Sequence, residues 1–289
     1  MFVPRKIIEK RLLAMLTEDI GQGDVTTAAI VPERQTVEAS IIAKESGTVA
    51  GIEETLILAE ALGLEGEAYV SDGAEIKRGQ AFLKVSGDAQ TILSAERTML
   101  NLLSRMSGIA TATKRLVEKL REARMATKVA ATRKSAPGLL YFDKKAVLLG
   151  GGDPHRLHLD DMILIKDNHI AVVGSVEAAV KKAKLHASFT KKIEVEVTKV
   201  SDALLAAQVG ADVVMLDNFS PKQIKDTIVA FKKTGFYGKV LLEASGGINE
   251  ENILEYASTG VNVISIGALT HSVKALDISL EITHSDTKA

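Results

Sequence analysis

The sequence predicts an α/β protein of two domains: an N-terminal α+β layer over residues 1–107 and, over 108–289, repeated βα units in the number that suits a barrel of six or seven parallel strands. Two observations carry this. Up to Gly87 short β-rich runs are separated by glycine-containing turns, whereas beyond Ala123 short apolar runs alternate with amphipathic helical segments, the pattern of a parallel sheet with crossover helices. The 289 residues, 46% apolar and 25% charged, are enough to bury a large core.

In the first half the expected strands are Thr36–Ala43, Thr48–Ala50, Ala68–Val70 and Ala81–Val85, with one helix over Glu53–Leu62. A long helix follows over Ala89–Ala123. A break is expected at Ser107-Gly108, where small residues lower helix propensity, and the domain boundary is placed there. The later strands are Lys128–Thr132, Met162–Ile165, Lys192–Val197, Val213–Leu216, Val240–Glu243 and Val263–Ile266, short and mostly apolar, as strands buried on both faces are. Between them Ser201 is placed to cap a helix that stops at Gly210, and Asn249 one that stops at Gly260. Ile224, Ile228 and Phe231 line one face of another helix. A last helix over about 272–283 is expected to end the chain, free to pack back on the N-terminal domain. The pattern alone leaves open whether the parallel sheet closes.

Thirty-six basic against 37 acidic residues give a net charge of -1, so no global field attracts nucleic acid or an anionic membrane. The absence of cysteine excludes a disulfide framework and cysteine-ligated metals. No stretch approaches the roughly 18 apolar residues of a membrane helix, and the charged N-terminal residues lack a signal-peptide core. A soluble cytoplasmic protein is the expectation.

In parallel α/β folds the working residues sit past the C-terminal ends of strands, on one face. Here those ends carry Arg133, Lys134 and Ser135; Lys166, Asp167, Asn168 and His169; Glu194 and Glu196; and Asp217 and Asn218. Four consecutive strands ending in ionisable groups would be electrostatically costly without a ligand. The last two units offer Glu243-Ala-Ser-Gly-Gly-Ile and Ser265-Ile-Gly-Ala-Leu, whose small residues let backbone N–H groups approach an anion beside a helix start. Phosphate is the expected guest there.

Gly150-Gly-Gly-Asp-Pro-His-Arg matches neither a dinucleotide nor a P-loop spacing and is read as posing His155 and Arg156. His155 and His158 lack a third ligand at a familiar zinc spacing. The stretch Asp72 to Val85 looks like the turn and strand of biotinyl carrier domains, but the hairpin Gly47-Thr-Val-Ala-Gly51 has no lysine to modify. Lys144 and Lys145 are expected on a solvated face.

Taken together, the chain resembles the quinolinate phosphoribosyltransferase family. The resemblance runs from Glu18-Asp-Ile-Gly-Gln-Gly-Asp-Val-Thr-Thr27 through Glu96-Arg-Thr, Thr132-Arg-Lys, His155-Arg, Ile165-Lys-Asp-Asn-His169, Glu194-Val-Glu-Val, Leu216-Asp-Asn-Phe and Glu243-Ala-Ser-Gly-Gly to Gly267-Ala-Leu-Thr-His-Ser272. It implies an N-terminal open sandwich, a C-terminal α/β barrel, and a homodimer or higher oligomer with shared active sites. The implied reaction joins quinolinate to phosphoribosyl pyrophosphate with magnesium, releasing pyrophosphate and carbon dioxide. By the family pattern Arg133, His155 and Arg156 hold the dicarboxylate next to Thr132, with Arg97 arriving from the partner subunit. Lys134 and Lys166 lie beside the donor, and Glu196 and Asp217 face the ribose hydroxyls and magnesium, directly or through water. Ser245, Gly246, Gly247, Gly267 and Ala268 bind the 5′-phosphate. Four cationic side chains are more than a single-carboxylate acceptor needs, which favours a dicarboxylate over nicotinate.

Overall fold

The computed structural model describes residues 3–285 and divides into two compact units, residues 3–112 with 273–285, and residues 113–272. The first unit opens with α1 (Arg5–Ile20), which buries Ile8, Leu12 and Leu16 at i, i+4, i+8 spacing. Helix α2 (Val25–Ile30) is capped by Asp24, whose carboxylate accepts from the Thr27 N–H at 2.9 Å. Then come β1 (Thr36–Ala43), β2 (Gly47–Thr48), α3 (Ile52–Ala61), β3 (Glu65–Ala68), β4 (Glu75–Ile76) and β5 (Ala81–Asp88). Along β1, Val37, Ala39, Ile41 and Ala43 are buried in strict alternation, so one sheet face is core.

Helix α4 (Ala89–Glu122) runs unbroken through Ser107-Gly108, contrary to the expected break. The small residues there serve packing instead. Ser107 Oγ exchanges hydrogen bonds with the Ala50 backbone at 3.0 and 3.2 Å, and a methyl group on Gly108 would fall 2.1 Å from the Lys274 carbonyl. The two compact units divide within α4, between 112 and 113.

The second unit contains β6 (Lys128–Ala130), α5 (Leu140–Leu149), β7 (Ile163–Ile165), α6 (Asp167–Val173), α7 (Val176–His186), β8 (Ile193–Val197), α8 (Val200–Gln208), β9 (Val213–Asp217), α9 (Pro221–Thr234), β10 (Leu241–Ser245), α10 (Ile253–Ala257), β11 (Val263–Ser265) and α11 (Ala268–His271). Its six strands pair in parallel in the order β6-β11-β10-β9-β8-β7, so the last strand returns to the first and the sheet curls into an α/β barrel. The seam lies between β6 and β7, where Asp153 makes an isolated parallel bridge to Ala130 in place of a seventh strand. Val195, Val214, Leu216, Leu242 and Ile264 are fully buried in the strands, and Ile224, Ile228 and Phe231 form the inner face of α9. Two caps differ from expectation. Helix α8 starts from Lys199, with Ser201 already inside it, and α10 starts from Asn252, while Asn249 holds the preceding turn by accepting from the Glu251 N–H at 2.9 Å.

Beyond Ser272 the chain rejoins the first unit, and the expected helix over 272–283 is instead strand β12 (Ile278–Ser285). It lies antiparallel to β1, pairing Ala43 with Ile278, Ile41 with Leu280 and Ala39 with Ile282, in a sheet ordered β12-β1-β5-β3. The alternation of Ile278, Leu280 and Ile282 with polar residues has the two-residue period of a strand, and β12 covers what would otherwise be an open edge of β1.

Candidate active site

At the C-terminal ends of the barrel strands a cavity of about 500 Å³ opens between residues from five of the strand ends and the seam loop. The turn after β6 supplies Thr132, Arg133 and Lys134; the loop after the Asp153 bridge supplies His155 and Arg156; Lys166 follows β7; Glu196 lies on β8 and Asp217 ends β9; Ser245, Gly246 and Gly247 close β10. Eleven of the fourteen expected residues therefore line one cavity. Gly267 and Ala268 do not line it, although Gly267 packs on it indirectly: a methyl group there would meet the Lys134 side chain at 3.2 Å, and Thr270 Oγ1 donates to the Lys134 carbonyl at 2.7 Å. Arg97 belongs to the other unit, on α4, exposed, with Glu96 at 3.8 Å.

Chemically the cavity has three walls. Arg133, Lys134, Arg156 and Lys166 form a cationic one. Burial and the neighbouring Arg133 hold the Arg156 guanidinium below its ordinary pKa, so an anion between these two arginines would relieve both costs. Glu196 and Asp217 form the second. Burial, then the charge of Asp217, pushes the Glu196 carboxyl above the usual range, while Lys166 and Lys134 pull the other way. A carboxyl raised by burial and by a neighbouring carboxylate is suited to meet a cation or a developing positive charge.

The third wall is the turn Ser245-Gly246-Gly247. Both glycines have positive φ, 97° and 64°, and the Asn218 N–H donates to the Ser245 carbonyl at 2.8 Å, tying the turn to β9. Small side chains let backbone N–H groups approach a phosphate closely. Helix α10 begins only at Ile253, five residues on from Ile248, so the anticipated helix dipole is not immediately behind this turn.

His155 stands at the seam with φ 54°, where Asp153 accepts from its N–H at 2.7 Å. Its Nε2 lies 3.2 Å from Glu243 Oε2 and 3.5 Å from Glu194 Oε2, and its Nδ1 accepts from the Arg156 N–H at 2.8 Å. Burial opposes charge on the ring, but the adjacent carboxylates of Glu194 and Glu243 outweigh it and push its pKa up to about 10. A second ring proton would sit on Nδ1, where the Arg156 N–H already points, so in the arrangement seen the proton is on Nε2, and full protonation requires that backbone contact to open. Burial also raises Glu194, against the opposing effect of His155.

Two features escaped the sequence. Lys144, expected on a solvated face, is fully buried, and Lys145 is nearly so. Lys144 Nζ donates to the Pro154 carbonyl directly before His155, and burial, partly offset by Asp153, lowers its pKa to about 8. Glu243 lines the cavity and Glu194, named above only as a strand-end group, is fully buried; the sequence assigns neither of them a contact. For Glu194 a signal existed: two residues from Glu196 on one strand, it must share that residue's face.

The family models for the quinolinate phosphoribosyl transferase N-terminal and C-terminal domains match residues 24–107 and 109–281. The probable nicotinate-nucleotide pyrophosphorylase (carboxylating) of Methanothermobacter thermautotrophicus is 47% identical over 93% of this chain and 96% of its own. The quinolinate phosphoribosyltransferase (decarboxylating) 2b, mitochondrial, of Nicotiana tabacum is 42% identical over 92% of this chain and 80% of its own. The structure of the nicotinate-nucleotide pyrophosphorylase from Francisella tularensis superposes with a TM-score of 0.88 at 37% identity, covering 98% of both chains.

Proposed function

Since the chain belongs to the quinolinate phosphoribosyltransferase family, we propose that it transfers the phosphoribosyl group of phosphoribosyl pyrophosphate to quinolinate with decarboxylation. The products are nicotinate mononucleotide, pyrophosphate and carbon dioxide, in de novo NAD biosynthesis. The observation that carries this is the meeting, in one cavity, of the Arg133/Lys134/Arg156/Lys166 cations, the Glu196/Asp217 pair and the Ser245-Gly246-Gly247 turn. These suit respectively a dicarboxylate, a ribose carrying developing positive charge, and a phosphate.

In this reading Arg133 and Arg156, beside Thr132, grip the two carboxylates, since an arginine fork matches a carboxylate in two bonds, and His155 forms the wall against which the acceptor lies. Lys134 and Lys166 neutralise the donor as point charges. Ser245, Gly246 and Gly247 receive the 5′-phosphate through backbone N–H groups, while Gly267 and Ala268 do not line the cavity, Gly267 packing beside Lys134 instead. Glu196 and Asp217 stabilise positive charge at the anomeric carbon as the pyridine nitrogen approaches and the C–O bond to pyrophosphate breaks. The raised Glu196 beside Asp217 fits a divalent cation; magnesium held there, directly or through water, would neutralise the departing pyrophosphate. The adjacent quaternised, positively charged nitrogen then stabilises the electron pair left on C2 as the 2-carboxylate departs as carbon dioxide, and a proton from solvent completes the C2–H bond, so decarboxylation follows glycosyl transfer. The unit of function is a homodimer or larger assembly in which Arg97 of the partner subunit completes each site, working in the cytoplasm.

Mass spectrometry of the pyridine product formed from quinolinate, donor and magnesium tests this. Nicotinate mononucleotide is expected; a riboside retaining both carboxylates as end product, or no product, would contradict it.

A further inference from the structure

We propose that Glu194 and Glu243 are positioning residues for acceptor binding, which face the Nε2–H of His155 from two different strands, Glu243 as its hydrogen-bond acceptor and Glu194 as a charge 3.5 Å away, and so fix the imidazole in the wall of the cavity. The inference rests on the acceptor assignment above and concerns how that wall is held.

The two carboxylates are otherwise hard to account for. Glu194 on β8 and Glu243 on β10 have side chains 0% and 3% exposed. Among the described residues, both oxygens of Glu194 and Oε1 of Glu243 have no hydrogen-bond partner. Burying a carboxylate without compensation costs several kcal/mol, so neither is tolerated as filler. What they share is one atom: His155 Nε2, 3.2 Å from Glu243 and 3.5 Å from Glu194.

His155 needs such anchoring. It sits in a loop bridging the barrel seam rather than in a strand, with a left-handed φ of 54° that a non-glycine residue adopts only under constraint. The loop is tied behind it, where Asp153 N–H donates to the Val129 carbonyl at 2.8 Å and the Ala131 N–H to the Asp153 carbonyl at 2.9 Å. The carboxylate pair supplies the tie in front. A ring held this way also fixes the start of the Arg156 backbone through Nδ1. The three side chains could surround a metal ion, but with Nδ1 already accepting a hydrogen bond, Nε2 presents a proton to the carboxylates, not a lone pair to a cation.

Glu243→Gln and Glu194→Gln keep the side-chain size and test the proposal. Each is expected to raise KM for quinolinate about 10-fold, the scale of a buried charge-assisted hydrogen bond, while KM for phosphoribosyl pyrophosphate stays unchanged. Side-chain ¹H–¹⁵N spectra of the wild-type protein should show His155 protonated at Nε2, with that signal displaced in Glu243→Gln. An unchanged quinolinate KM, an equal rise in both KM values, a His155 without a proton on Nε2, or a metal ion coordinated by His155 in the native protein would each overturn it. Should the wild type not turn over quinolinate, the acceptor assignment fails, and the spectra alone decide the positioning claim.

Discussion

A methyl group added to Gly246 would fall 2.2 Å from Oδ1 of Asn218. The turn that closes β10 is therefore pressed against the end of β9, and with φ 97° only glycine meets both demands. Gly246→Ala should cost about 1–3 kcal/mol of stability through backbone strain and weaken donor binding more than acceptor binding. Separate titrations with phosphoribosyl pyrophosphate and quinolinate check this; equal weakening would mean that the turn does not face the donor.

Arg133→Lys keeps the charge and removes the fork. If Arg133 grips a carboxylate in two bonds, quinolinate KM should rise roughly 10-fold or more, with little change in the circular dichroism of the folded protein. Retained affinity would show that only charge is required there.

Lys144 titrates in the folded chain near 8, below its ordinary 10.5. Its charged form is the disfavoured one, so the cost is fully present below pH 8. Between 8 and 10.5 the unfolded chain binds more protons than the native one, and stability rises with pH. From pH 7.5 to 9.5 the wild type should gain roughly 2 kcal/mol relative to Lys144→Met. Urea unfolding at the two pH values measures the difference; parallel curves would place the amine in a less demanding environment.

Gly108→Ala would place a methyl group 2.1 Å from the Lys274 carbonyl. Although alanine favours helix, overpacking should win and destabilise the protein by about 1–3 kcal/mol. A rise in melting temperature would revive Ser107-Gly108 as a weak point of α4.

What could be read from the sequence follows physical scale. The barrel strands were legible because strands buried on both faces are short apolar runs, and the site because parallel topology sends Arg133, Lys166, Glu196, Asp217 and Ser245 to one end. Strand β12 was not, since its partner β1 lies more than 230 residues earlier and eight alternating residues near a terminus carry little signal alone. Ser107-Gly108 misled because small residues read equally as helix breakers or as close-packing sites. Lys144 and Lys145 misled because charge predicts exposure unless a carbonyl such as that of Pro154 waits inside. Glu243 had no local signal, because its partner His155 is brought by the barrel's curvature from 88 residues away.

The most direct test of the account follows carbon dioxide from quinolinate labelled in its 2-carboxylate, with and without phosphoribosyl pyrophosphate. One cavity that joins the acceptor before it loses carbon dioxide predicts release equal to nicotinate mononucleotide, and only when the donor is present. Release without donor, or in excess of the nucleotide, would contradict it.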